Sequence, residues 1–314
     1  MHAVVISGGR VAWAERPEPG FGSDELLVEV RAAGLNGADL LQVAGRYPPP
    51  PGSRAAADVP GLELAGVVVA AGSSVRRFSV GDRVMGLAEG AAQAELAVLH
   101  ERVALPVPAE LDLEAAGGFP EVFATAYDAL FTQAQLGAGD RLLVNGAAGG
   151  VGTAAVQLGV ATGASVVASV RAEHLRERVA SLGAEAVGPD GAFSRGPYDV
   201  VLELVGAVNL PGDLDALATG GRVVVIGVGA GARSELDLRV LMARRGRILA
   251  STLRSRSLEE KAILARTLEH HVFPLLAAGR VRVLVEATYA FGEVERAYEH
   301  FARGKLGKIV LVRR

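Results

Sequence analysis

The stretch Arg141-Leu-Leu-Val-Asn-Gly-Ala-Ala-Gly-Gly-Val-Gly-Thr-Ala-Ala-Val-Gln has the residue types and spacing to hold a phosphate. An apolar run enters a turn containing Gly146, Gly149, Gly150 and Gly152, and a run of small residues leaves it. Glycine lets the backbone turn sharply and lets a pyrophosphate approach the N–H groups at a helix start, where the helix dipole favours negative charge. A G-x-G-x-x-G fingerprint would begin at Ala147, so the pattern reads A-x-G-x-x-G through Val151 to Gly152. With a second apolar strand ending about 20 residues further on, this predicts a dinucleotide site. Close helix–strand packing without a ligand is the alternative.

The end of that second strand decides which dinucleotide fits. An acid there would hold the adenosine ribose of NAD. The chain instead offers Ser169, Val170 and Arg171, with His174 shortly after. A guanidinium and a hydroxyl suit a 2′-phosphate, which makes NADP(H) the expected cofactor. Glu173 weakens that field, and the alternative is that Arg171 is a solvated residue at a helix start.

Other polar residues are open to two readings. Asn36 and Asp39 precede an apolar run, where helix capping and ligand binding are equally open. Glu63 is a candidate acid that reads better as a structural partner. His270–His271 has no carboxylate at metal spacing and reads as a solvated helix face, so no metal site is expected. Cys is absent, which excludes disulfides, iron–sulfur clusters, thiolate zinc sites and cysteine nucleophiles.

Elements must position these groups. The 314 residues are ample for two domains, and 50% hydrophobic with 21% charged residues is a globular composition. A net charge of −3 argues against bulk electrostatic binding of nucleic acid. Leu142 to Val170 has no charged residue and is long enough to span a membrane. It holds six glycines, however, together with Asn145 and Gln157. A strand buried on both faces and followed by a tightly packed helix gives the same pattern. Met1–Arg10 has no basic leader and only a short apolar run, so a soluble, cytoplasmic protein is expected.

The first hundred residues read as short strands, for example Glu25–Ala32, Gly66–Ala71 and Arg83–Leu87. The loop Gly45–Pro60 carries four prolines at 48–51, which no helix or central strand can accommodate. From Pro120 the rhythm changes. A helix over Glu121–Gln135 precedes a strand at Arg141–Asn145, a helix at Gly150–Thr162, a strand at Ser165–Val170 and a helix at Glu173–Leu182. Strands at Asp199–Val205, Arg222–Val228 and Arg247–Thr252 complete the pattern of a doubly wound parallel sheet. After Ser257 come a helix, a strand near Val281–Val285, a helix at Glu293–Arg303 and a last strand at Lys308–Val312.

Several segments together carry a family resemblance. They are Leu35-Asn-Gly-Ala-Asp-Leu-Leu-Gln, Gly45-Arg-Tyr-Pro-Pro-Pro-Pro-Gly, Val80-Gly-Asp-Arg-Val and Phe119-Pro-Glu-Val-Phe-Ala-Thr-Ala-Tyr. The Gly-rich turn, Leu253-Arg-Ser-Arg and Gly307-Lys-Ile-Val-Leu complete the set. In this order they resemble the zinc-independent quinone oxidoreductases (zeta-crystallin type) of the medium-chain dehydrogenase/reductase superfamily, especially the p53-inducible branch. The resemblance implies an α/β protein in which a GroES-like β-rich catalytic domain (1–120, completed by 257–314) encloses a Rossmann NADP-binding domain (121–256). It also implies an NADPH site in the interdomain cleft and a homodimer.

By family position, Asn36, Asp39 and Tyr47 would line the nicotinamide end, with Thr125 beside them. Tyr47 would orient the cofactor and assist proton delivery; packing on the proline run is its other reading. Ile226, Gly227 and Gly229, then Thr252, Leu253 and Arg254, would add cofactor contacts. Two positions depart from relatives: Gly149 replaces a serine of the p53-inducible branch, and Pro189 replaces a tyrosine that often meets the adenosine phosphate. Arg171 then carries more of the NADP preference. Where zinc-dependent cousins have Gly-His-Glu, this chain reads Gly61-Leu-Glu-Leu-Ala-Gly, so no catalytic zinc is expected.

Without a metal, catalysis rests on aligning a hydride donor with an activated acceptor and excluding water. A quinone or enone suits this, because its oxygen can take a proton from solvent or a nearby hydroxyl; a simple ketone more often needs a Lewis acid or a positioned acid. The expected activity is NADPH-dependent reduction of quinones or related activated carbonyls. An enoyl-thioester or enone reductase and a non-catalytic NADPH-binding protein are the alternatives.

Overall fold

The computed structural model describes residues 1–50 and 52–313; Pro51, the last of the four prolines, lies outside the described residues. The chain forms two units. The first comprises Met1–Val122, Arg254–Ala277 and Val283–Arg314, and the second Phe123–Leu253 and Ala278–Arg282.

Strands β1 (His2–Ser7), β2 (Arg10–Glu15), β3 (Glu25–Gly34), β4 (Glu63–Ala71), β5 (Arg83–Leu87), β6 (Leu96–His100) and β7 (Ala104–Pro106) belong to the first unit. The second unit contributes β8 (Arg141–Asn145), β9 (Ser165–Ser169), β10 (Glu185–Val187), β11 (Tyr198–Glu203), β12 (Leu217–Val225) and β13 (Arg247–Ala250). The chain then returns to the first unit with β14 (Val285–Ala290) and β15 (Lys308–Val312).

β3 is the hub of the first unit. Leu26, Val28 and Val30 are fully buried while the residues between them are not, the period-two signature of a strand with one face in the core. β3 pairs antiparallel with β4, β6 and β15. Its apolar face packs with Leu64, Val68, Val84, Leu99, Ile309 and Leu311. The final strand falls where the sequence predicts it. The strand expected near Val281–Val285 instead begins at Val285, because its ladder with β15 starts at the Val285–Lys308 pair.

The second unit is a six-stranded parallel sheet in the order β10-β9-β8-β11-β12-β13. The doubly wound arrangement read from the alternation is therefore present. β8 and β9 are buried along almost their whole length, and the helix Gly150–Thr162 buries Ala154, Ala155, Val156 and Leu158. That double burial accounts for the charge-free run. Among the described residues no helix is long and apolar enough to cross a membrane.

Three further elements differ from the pattern read in the sequence. The helix at Pro120–Tyr127 widens into a π-helical turn at Asp128–Gln133. There Gln133 Nε2 donates to Asp128 Oδ1 five residues back (3.3 Å), and Ser251 Oγ donates to Asp128 Oδ2 (2.6 Å). β12 stops at Val225, because the N–H groups of Ile226 and Gly227 turn to the Glu203 carbonyl. The helix expected over Glu173–Leu182 divides into a 3-10 turn at Glu173–Leu175 and a helix at Arg176–Ala180.

Candidate active site

The glycine-rich turn lies at the carboxyl end of β8, with β9 on one side and β11 on the other. This is the topological switch point of a doubly wound sheet, where ligands of such sheets bind. Gly146 has φ +74°, a left-handed conformation that glycine adopts without strain. The Gly149 N–H donates to the Gly146 carbonyl (3.1 Å), and Thr153 N–H to the Gly149 carbonyl (2.8 Å). The N–H groups of Gly150, Val151 and Gly152 precede that first helical bond and have no carbonyl of the helix to meet. A Cβ on Gly152 would stand 2.5 Å from the Gly146 oxygen, so only glycine lets the turn fold back so tightly. Ala147 is fully buried and donates its N–H to the Ser169 carbonyl (3.2 Å), tying the turn to the end of β9.

Ser169, the last residue of β9, is buried, while Arg171 and His174 beyond it are exposed. Arg176, which sequence reasoning passed over, is half-buried and donates from Nε to the Val170 carbonyl (3.2 Å). Its Nη1 also pairs with Glu173 Oε1 (3.5 Å). Ile226, Gly227 and Gly229 follow β12, and a Cβ on Gly227 would strike the Leu204 carbonyl at 2.2 Å. Thr252 is exposed and Leu253 buried after β13; Thr125 is buried on the helix Pro120–Tyr127.

A different cluster forms in the first unit. Asp39 caps the helix Gly37–Val43 by accepting from the Asn36 N–H (2.8 Å), so the capping geometry is present. Its carboxylate also accepts from the Gly61 N–H (3.2 Å) and from Gln93 Nε2 (3.2 Å). Burial pushes Asp39 up to about 6, opposed by the Asn36 N–H and by Lys308. Tyr298 donates its hydroxyl to Gln93 Oε1 (2.9 Å) and fixes that amide behind Asp39.

Glu63 is fully buried. It accepts from Lys308 Nζ (2.6 Å) and Asn36 Nδ2 (2.9 Å) at Oε1, and from the Glu121 N–H (2.9 Å) at Oε2. Lys308 Nζ also donates to the Leu35 carbonyl (2.6 Å) and Asn36 Oδ1 (2.8 Å). The structural reading of Glu63 matches this arrangement, while the part played by Lys308 was not anticipated. Its one sequence signal is a lysine opening an otherwise apolar strand.

Tyr47 is half-buried under Arg254, whose guanidinium carbon lies 5.0 Å from the ring centre. Arg254 donates to the carbonyls of Tyr47 (3.2 Å) and Glu89 (3.1 Å), and its Nη2 is buried with no hydrogen-bond partner among the described residues. Burial first, and the nearby Glu121 second, raise the Tyr47 hydroxyl above its ordinary value; Arg254 opposes them. Glu121 itself is pushed up to about 8, chiefly by burial and then by Glu63.

Asn36, Asp39, Tyr47 and Arg254 are thus gathered in the first unit, and Gly146–Gly152, Ser169, Arg171 and His174 in the second. Among the described residues no three His, Cys, Asp or Glu side chains are grouped to hold a metal.

Comparison with known proteins agrees with this architecture. Residues 22–132 match the alcohol dehydrogenase GroES-like domain, and residues 150–269 match the zinc-binding dehydrogenase family. The quinone oxidoreductase of Rattus norvegicus is 30% identical over 304 residues, covering 92% of this chain and 89% of the rat protein. Among solved structures, the CurK enoyl reductase superposes with a TM-score of 0.85 at 25% identity, covering 100% of this chain and 99% of that one. A mycobacterial protein complexed with NADPH gives 0.86 at 26% identity, covering 99% and 100%. The chain belongs to the medium-chain dehydrogenase/reductase superfamily, with the quinone oxidoreductases among its relatives. Its fold is a GroES-like domain joined to a Rossmann domain. The zinc of the second family's description has no fitting ligand set here, since Cys is absent and no His/Asp/Glu group replaces it among the described residues.

Proposed function

We propose that this chain is an NADPH-dependent, zinc-independent oxidoreductase that reduces quinones and related activated carbonyl compounds. The observation that carries the reading is the Gly146–Gly152 turn at the switch point, with three helix-start N–H groups that have no helix carbonyl to meet and Arg171, not an acid, beyond β9. Bound NADPH supplies the hydride. Gly150, Val151 and Gly152 hold its pyrophosphate, Gly146 and Ala147 shape the turn, and Ser169, Arg171 and His174 take the 2′-phosphate. Ile226, Gly227, Gly229, Thr252 and Leu253 border the dinucleotide, and Thr125 and Tyr47 orient its nicotinamide. Arg254 ties the Tyr47 loop to the segment at Glu89 by donating to the carbonyl of each. Asn36 and Asp39 act as positioning residues, because their polar atoms are engaged by Glu63, Lys308, Gly61 and Gln93.

Reduction of an enoyl thioester is the second reading, supported by the likeness to the CurK enoyl reductase. A homodimer is also part of the proposal. β13 is an edge strand with Ile248 exposed, and Leu238 and Met242 are exposed on the preceding helix Leu238–Arg244. A second copy would cover this edge by a two-fold pairing. The test is NADPH and NADH oxidation against ortho- and para-quinones, an alkenal and an enoyl-CoA. Quinone-dependent oxidation preferring NADPH is expected; NADPH binding without turnover on any acceptor would overturn the reading.

A further inference from the structure

Resting on that reading, we propose that Glu121 is the proton donor to the acceptor being reduced. Three carboxyl groups meet in the first unit, and two of them are closed to a ligand. Asp39 is 1% exposed and Glu63 is 0% exposed, and the oxygens of each are engaged by protein donors. Glu121 differs. Its backbone N–H is anchored on Glu63 Oε2, which fixes the start of the helix Pro120–Tyr127. Its side chain is only half-buried, and among the described residues its carboxyl makes no hydrogen bond. A carboxyl with no protein partner, on a residue that keeps part of its surface exposed, is free to meet the oxygen of a bound acceptor.

Burial first, and then the balance of the surrounding charges, keeps its proton in place. Glu63 faces it from β4, Asp39 from the helix Gly37–Val43, Tyr47 from the loop after that helix, Lys308 from β15, and Arg254 from the segment after β13. Burial and the two carboxylates outweigh the two cations, and the group titrates at about 8. Near neutral pH it therefore carries a proton, as a general acid must. Tyr47 is the weaker acid, since Glu121 and burial both hold its hydroxyl above its ordinary value.

For an enone the step balances as follows. The acceptor gains hydride at its β-carbon, forming a C–H bond, and the electron pair of its C=C bond moves toward the carbonyl oxygen. The O–H bond of Glu121 breaks and that oxygen takes the proton, giving an enol that ketonises in solvent. The Glu121 carboxylate regains a proton from water. NADPH, the enone and one solvent proton are consumed, and NADP+ and the saturated ketone are formed.

The test compares wild type, E121Q and E121D with 2-cyclohexen-1-one as acceptor, alongside infrared spectra of the protein alone. Wild-type kcat should stay level up to about pH 8 and then fall as the acid ionises, tenfold per pH unit. E121Q should lose about a hundredfold at neutral pH and become independent of pH there, with NADPH affinity unchanged by fluorescence. E121D should recover part of the rate and keep a falling alkaline limb. The wild-type minus E121Q infrared difference at neutral pH should show a protonated carboxyl band that vanishes above pH 9. A wild-type rate and alkaline limb in E121Q, or no protonated carboxyl in the difference spectrum, would overturn this proposal alone. Absence of turnover by the wild type on every acceptor would overturn the proposed function and this step with it.

Discussion

Lys308 Nζ lies 2.6 Å from Glu63 Oε1, an ion pair between residues 245 positions apart and almost wholly removed from water. Both strands involved, β4 and β15, pair with β3, so the two charges meet across the hub of the sheet. Gly34 at the end of β3 leaves them room: a Cβ there would stand 2.4 Å from Glu63 Oε1. Asn36 bridges the pair, accepting from Lys308 and donating to Glu63.

Removing one partner leaves an uncompensated buried charge. K308M should cost about 3–5 kcal/mol of stability. The double variant K308M/E63Q should cost clearly less than the sum of the single changes. Urea unfolding of the four proteins in a double-mutant cycle measures this; strict additivity would mean that the pair is not coupled.

Gly152→Ala should disrupt the dinucleotide site, because its Cβ would meet the Gly146 oxygen at 2.5 Å. Gly137→Ala meets nothing within 4 Å and serves as a control that should bind normally. NADPH titration by fluorescence should show at least a tenfold weaker Kd for the first variant and no change for the second.

Arg171→Ala should weaken NADPH by roughly tenfold or more, the scale of a lost hydrogen bond to a charged group, and leave NADH nearly unaffected. Equal losses for both cofactors would remove the 2′-phosphate assignment. Arg176, held on the Val170 carbonyl, should account for the selectivity that survives.

Stability should decline from mildly acid to mildly alkaline pH. Asp39 titrates at about 6, and Glu121 and Asp213 at about 8, each raised above its unfolded value mainly by burial. On these carboxyls the folded state holds more protons than the unfolded state between pH 4 and 8, so unfolding free energy falls as pH rises through that window, with Lys305, lowered to about 7 mainly by burial, opposing the fall above neutrality. Denaturant midpoints across the range should fall in the wild type. D39N should flatten the lower part of the decline and E121Q the upper part; a midpoint that rises with pH would contradict the assignments.

The second unit was more legible in the sequence than the first. Parallel strands buried on both faces and a glycine turn write local patterns, so β8, β9 and the helix Gly150–Thr162 could be read directly. The widening at Asp128 could not, since it depends on Ser251, 123 residues away. The polar cluster was equally hidden: Asn36 and Asp39 were visible as capping types, but nothing near them announces Lys308, and Glu121 stood only within a motif. Long-range packing gives those residues their chemistry. β14 was displaced because its register is set by β15 and not by its own apolar pattern.

The most direct test of the central claim is steady-state oxidation of NADPH and NADH by the purified protein with a para-quinone, each cofactor varied at saturating acceptor. Quinone-dependent oxidation with kcat/KM at least tenfold higher for NADPH is the predicted result. Equal or higher kcat/KM for NADH, or no quinone-dependent oxidation of either cofactor, would contradict it.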